Sequence, residues 1–142
     1  MPVTHLLDTS VYSQPIKKTP HPEVMKRWQF LGDTSLVTCA ICEAEILYGI
    51  HNGKRKNAES KIGDRYDTIL RGRFDILPVD AAVSAIYAEL RCACEAKAKP
   101  VADMDLLIAS VAKANNLTLA TLNMGDFNVI DGIAVEDWSQ PL

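Results

Sequence analysis

Asp103-Met104-Asp105-Leu106-Leu107-Ile108-Ala109-Ser110-Val111-Ala112-Lys113-Ala114-Asn115-Asn116-Leu117-Thr118-Leu119-Ala120-Thr121 decides the fold. Leu107, Ile108, Val111 and Ala112 recur at three- and four-residue steps, so the spacing predicts a helix with one apolar face. Asn115-Asn116 ends it, and residues 117–121 follow as a short strand. Two acids, Asp103 and Asp105, open the helix.

The same alternation extends outward in both directions. Toward the N-terminus, His5-Leu6-Leu7 reads as a first strand ending near Asp8, followed by a polar, Pro-containing loop through Pro22. Val24, Met25, Trp28 and Leu31 predict a helix over 23–31 that Gly32 stops. Residues 35–41 predict a second strand, and residues 42–50 a short helix ending before Asn52-Gly53. Ile62, Tyr66, Ile69 and Leu70 give one apolar face to a charged helix over 58–70. A third strand is predicted over 74–79. Asp80 caps the next helix, where Val83, Ile86, Tyr87 and Leu90 recur before Lys99-Pro100 breaks it. Toward the C-terminus, residues 133–135 predict a fifth strand. Strands separated by helices specify an α/β domain with a mainly parallel central sheet of four to five strands, because parallel neighbours need helical crossovers. The 142 residues suit one domain, 1–142.

Composition narrows the class. Hydrophobic residues make up 48% and charged residues 23% of the chain, and the mean hydropathy is near zero, which argues against disorder and membrane residence. With no signal-peptide pattern in the first residues, a cytoplasmic location is expected. Cys39, Cys42, Cys92 and Cys94 form a C-x-x-C and a C-x-C, but Cys39 and Cys42 lie in an apolar run without the Gly-containing turn of a zinc knuckle. Buried, reduced thiols are expected instead. The net charge of −3 is unevenly spread, because residues 51–73 carry seven basic residues against three acidic ones and are +4, leaving −7 elsewhere. This segment reads equally as a solvated helix face or a phosphate-binding patch.

In parallel sheets ligands bind beyond the carboxyl ends of the strands. Asp8 ends strand one, Glu45 follows strand two, Asp103 and Asp105 open the later helix, and Asn123 and Asp126 follow strand four. Topology therefore brings carboxylates from four segments toward one rim. Such a cluster is self-repelling unless a cation lies between its members, and hard oxygen donors select Mg²⁺ or Mn²⁺. Each acid is alternatively a helix cap, a reading that explains Asp103 as well as a metal role does and Asp8 less well.

Leu6-Leu7-Asp8-Thr9-Ser10-Val11, Glu45-Ile46-Leu47-Tyr48-Gly49-Ile50, Val101-Ala102-Asp103-Met104-Asp105-Leu106, Thr121-Leu122-Asn123-Met124-Gly125-Asp126-Phe127 and Gly132-Ile133-Ala134-Val135-Glu136-Asp137-Trp138 resemble, in order, the successive motifs of PIN-domain ribonucleases of the VapC toxin type. The resemblance spans essentially the whole chain and implies the three-layer PIN-like fold. It also implies a metal core of Asp8, Glu45 and Asp105, with Asp126 as a further catalytic acid and Thr9, Asp103, Thr121 and Asn123 in support. Asn123 departs from the Asp that many members carry, and Asp126 is the replacement candidate. Lys54, Arg55 and Lys56 are candidates for binding substrate. The implied partners are an RNA substrate, a cognate antitoxin and a second copy of the chain in a homodimer; no membrane is implied.

The implied activity is Mg²⁺-dependent hydrolysis of RNA phosphodiester bonds by activated water. His5, His21 and His51 form no recognisable pairing with Ser or Cys, so a covalent mechanism has little support. Haloacid-dehalogenase-like phosphatases also place Asp after strand one but need a second acid two residues on, where this chain has Ser10. The remaining alternative is a PIN-fold nucleic-acid-binding scaffold whose site is weakened at Asn123.

Overall fold

The computed structural model describes residues 2–56 and 61–141. Five parallel strands form one sheet in the order β3-β2-β1-β4-β5: β1 is His5–Leu7, β2 Leu36–Cys39, β3 Ile76–Leu77, β4 Thr118–Thr121 and β5 Val135–Asp137. β1 and β2 are buried at every position, as strands covered on both faces must be, and this is why they read as apolar runs. The helices are α1 (Thr9–Tyr12), α2 (Pro22–Leu31), α3 (Ala40–Arg55), α4 (Ile62–Arg65), α5 (Ala81–Ala96), α6 (Asp103–Ala114) and α7 (Met124–Phe127). A π-helical turn, Tyr66–Leu70, continues α4.

The chain lays β2 and β3 on one side of β1 and then crosses to place β4 and β5 on the other. The order of the strands thus reverses between β1 and β4. Connections leave in opposite directions there, opening a crevice at the strand ends. Asp8 and Thr121 stand on its two lips, and the Asp8 amide joins them by donating to the Ala120 carbonyl at 3.0 Å. Below, Leu6, Leu7, Leu119, Ala120, Trp28 and Trp138 are essentially closed to water.

Several elements depart from the sequence expectation. The second strand stops at Cys39, so Ala40 and Ile41, expected in the strand, open α3. α3 runs through Asn52-Gly53 to Arg55, because packing against the following segment outweighs the cost of about 1 kcal/mol for an interior glycine. Ile50 packs against Gly63 closely enough that a side chain added there would crowd it, and Arg55 donates to the Asn52 side chain within the last turn. The predicted helix over 58–70 is a short α-turn and a π-turn from Ile62; its predicted start at Ala58 lies outside the described residues. The third strand shrinks to Ile76–Leu77 because Pro78 cannot continue a ladder, while Phe74 turns inward against Trp28 and Tyr12. The fifth shifts to Val135–Asp137, set by pairing of Leu119 with Val135 and Thr121 with Asp137. In α6 the fully buried leucine is Leu106, with Leu107 only partly covered. Cys39, Cys42 and Cys94 are buried free thiols, but Cys92 is exposed on α5. Among the described residues, no helix is long and apolar enough to cross a membrane.

Candidate active site

Asp8 is buried at the crevice, and its carboxylate is fixed from three directions. Oδ1 accepts from the Ser10 hydroxyl at 2.6 Å and from the Val11 amide at 3.0 Å, while Oδ2 accepts from the Thr121 hydroxyl at 2.5 Å. Asp8 therefore also caps α1, the role its sequence context favours less, yet Oδ2 keeps an unused lone pair. Thr121 accepts in turn from the Asn123 amide at 2.8 Å, and Ser10 Oγ accepts from the Leu122 amide at 3.0 Å. These bonds tie the ends of β1 and β4 together. The sequence expectation gives Ser10 no role in the site; a small hydroxyl two residues after a strand-end acid is the signal it carries.

Glu45 projects from the exposed side of α3 and accepts from the Thr9 hydroxyl at 2.5 Å. Asp105 sits in the first turn of α6, half-buried. Burial raises its carboxyl above the ordinary aspartate range, and the negative charges of Asp126, Glu45 and Asp8 raise it further. Asp8 is likewise raised by burial, which outweighs the hydrogen bonds that favour its ionised form. Four acids from four segments thus share one electrostatic neighbourhood.

Other candidates lie elsewhere. Asp103 turns away, accepting from the Tyr87 hydroxyl at 2.8 Å with Arg91 at 3.7 Å, and it caps nothing, since Ala102 holds the cap position of α6. The Asn123 side chain is exposed and makes no cap for α7; its backbone amide is what reaches the site. Lys54, Arg55 and Lys56 are exposed at the far end of α3, about 15 Å along the axis from Glu45 at 1.5 Å per residue. Lys54 lines a cavity of about 240 Å³ with His51, Asp64, Asp67 and Arg71, in which Arg71 is paired with Asp67.

A second acid on α3 went unnoticed in the sequence. Glu43 is buried, accepting from the Tyr12 hydroxyl at 3.0 Å and from the Tyr66 hydroxyl on the other oxygen. Burial together with the adjacent carboxylate raises both phenols, Tyr66 to about 12 and Tyr12 further. Its signal was its phase, one residue after buried Cys42 on the covered face of the helix.

Among the described residues no three acidic, His or Cys side chains are gathered closely enough to hold a metal ion by themselves. The donor set nevertheless fits a hard divalent cation: it is all oxygen, self-repelling, and open toward the crevice. Mg²⁺ commonly takes one or two carboxylates and completes its shell with water and phosphate.

A PIN domain model matches residues 5–132. The chain belongs to the PIN domain family. Within that family it is 34% identical over 137 residues to Toxin FitB of Neisseria gonorrhoeae, covering 94% of this chain and 97% of that protein. It is 30% identical over 136 residues to Ribonuclease VapC2 of Rickettsia felis, covering 96% and 98%. Among solved structures, FitAB bound to an IR36 DNA fragment superposes with a TM-score of 0.84 at 33% identity, covering 98% of both chains. VapBC2 from Rickettsia felis, bound to a DNA fragment from its promoter, superposes with a TM-score of 0.80 at 30% identity, covering 97% and 99%. The PIN fold and its five parallel strands thus agree with the motifs that first suggested them.

Proposed function

We propose that this PIN-domain chain is a metal-dependent endoribonuclease and the toxin of a toxin–antitoxin pair. The observation that carries the reading is that buried Asp8, half-buried Asp105 and exposed Glu45 and Asp126 come from four segments into one neighbourhood, where burial and then the surrounding negative charges raise Asp105. Packing does not require carboxylates to be gathered without donors, whereas a cation between them relieves the repulsion. Relatives named as toxin and ribonuclease along the whole length of the chain supply the class of reaction.

Asp8, Glu45 and Asp105 would hold Mg²⁺ or Mn²⁺, with Asp126 beside them. Bound there, the cation would lower the pKa of a coordinated water and offset charge on the attacked phosphodiester. The chain's own residues do the rest. Thr121 and Ser10 keep the Asp8 carboxylate aimed along the crevice, and Thr9 holds Glu45 in one rotamer. Their hydroxyls donate, so they favour the ionised acids that a cation requires. Lys54, Arg55 and Lys56 would track the RNA backbone away from the cut.

A solved member of the VapBC family of toxin–antitoxin systems from Mycobacterium tuberculosis, 27% identical, supports an antitoxin partner; a cytoplasmic site of action belongs to the same proposal. A guanidinium from that partner would satisfy the acidic rim in place of the cation, since it binds two carboxylate oxygens and stays charged. Assembly as a homodimer belongs to the same proposal. The test is cleavage of single-stranded RNA by the purified chain with Mg²⁺ or Mn²⁺ and with chelator. Cleavage that needs the cation and vanishes in Asp105→Asn supports the reading; cleavage equal in chelator, or none with either cation, refutes it.

A further inference from the structure

The acidic rim poses an electrostatic problem for its own substrate, because an RNA phosphate must approach four carboxylates. The basic residues at the end of α3 lie too far along the helix to offset this at the cut. One cation is nearer. A cavity of about 200 Å³ opens between the loop before α6 and the start of α7, lined by Lys99, Pro100, Val101, Asp105, Gly125 and Asp126. It places a lysine in the same chamber as two of the acids.

The backbone that carries Lys99 is built to hold it there. α5 ends in a paired closure in which the Ala98 amide donates to Glu95 and the Lys99 amide to Cys94, both at 3.0 Å. Ala98 takes a left-handed conformation with φ of 54°, which glycine adopts more readily. Lys97 pins the turn from outside, donating to Asp131 at 2.5 Å. Pro100 then fixes the direction of the chain. Among the described residues Lys99 makes no ion pair at contact distance: its charge reaches Asp131, which Lys97 already holds, and Asp103 faces Arg91 and Tyr87. A held backbone whose lysine lines an acid-walled cavity without an ion pair of its own suits a ligand that brings its own negative charge.

We propose that Lys99 binds a non-bridging oxygen of an RNA phosphate in the cavity it shares with Asp105 and Asp126. The proposal rests on the ribonuclease reading and adds to it the residue that admits the substrate. An ammonium presents three donors and a compact charge, so it engages a phosphate without demanding the planar geometry of a guanidinium.

The experiment measures affinity of the full-length chain for a labelled single-stranded RNA across a salt series, in an Asp8→Asn background that blocks cutting. Lys99→Met should weaken binding about tenfold and flatten the slope of log Kd against log salt by about 0.7, the loss of one phosphate contact on a single strand. Lys99→Arg should restore most of both. Lys97→Met serves as the structural control: it loosens the turn but should leave the salt slope in place. In the Asp8-containing chain, Lys99→Met should lower RNA cleavage with Mg²⁺. Unchanged affinity and slope in Lys99→Met, with active unsubstituted chain, overturns the inference alone. Unchanged RNA binding with weakened binding of the antitoxin tail would assign Lys99 to a protein interface and overturn it too. An unsubstituted chain that neither binds nor cuts RNA removes the ribonuclease reading and this inference together.

Discussion

Glu43 and Glu45 sit two residues apart on one helix and have opposite fates. Glu43 points into the core and is met by two phenols, one on each oxygen. Glu45 points to the rim, receives one hydroxyl from Thr9, and otherwise faces other acids. The first carboxylate is matched by donors; the second is left short of them. A buried acid that is fully partnered contributes to structure, whereas acids arranged without enough donors require something from outside. Residue type does not distinguish the two; helix phase marks Glu43 as covered, and the inventory of partners shows which carboxylate is satisfied.

The contrast breaks most visibly in activity. Asp105→Asn should reduce RNA cleavage about a thousandfold, because it removes charge where a cation must be held, and Glu43→Gln should change it little by comparison. A cleavage assay with both variants at saturating Mg²⁺ checks this; comparable losses would erase the distinction. Stability should show the reverse. Glu43→Ala strands two buried hydroxyls and should cost about 3 kcal/mol in urea unfolding. The triple change Glu43→Leu, Tyr12→Phe, Tyr66→Phe should recover much of that, since donors and acceptor leave together.

A smaller effect concerns pH. Asp8 and Asp105 have raised carboxyls in the metal-free fold, so the native state holds protons that the unfolded chain has released. Their contribution to stability therefore falls as pH rises from the ordinary aspartate value through the raised one. Asp105→Asn should accordingly raise the metal-free melting temperature near neutral pH and flatten its decline from acid; calorimetry at several pH values without metal would show a lower midpoint if the rim is not repulsive. Smallest of all, neutralising Lys54, Arg55 and Lys56 together should weaken RNA binding and flatten its salt dependence, with an unchanged slope returning them to a solvated helix face.

Much of this was legible in the sequence, because parallel strands and helices leave periodic apolar patterns. The strand ends brought Asp8, Glu45, Asp103, Asp105 and Asp126 toward one rim by topology, and the family resemblance chose Asp105 over Asp103. What escaped depends on partners distant in sequence. Tyr12 and Tyr66 meet at Glu43 from 31 and 23 residues away, and no local pattern announces that meeting. α3 overran Asn52-Gly53 because packing against Gly63 overrode a turn signal. Asp103 resembled Asp105 in every local respect, yet Tyr87 and Arg91 on α5 draw it off the rim. Lys99 looked like a helix terminator, and only the cavity it lines gives it a second meaning.

The central claim is that the rim acids form one cation site. Titration calorimetry with Mn²⁺, on the unsubstituted chain and on the Asp8→Asn, Asp105→Asn double variant, tests it most directly. The account predicts saturable binding by the first and none by the second, with both still folded by circular dichroism; equal binding by the two, or none by either, would contradict it.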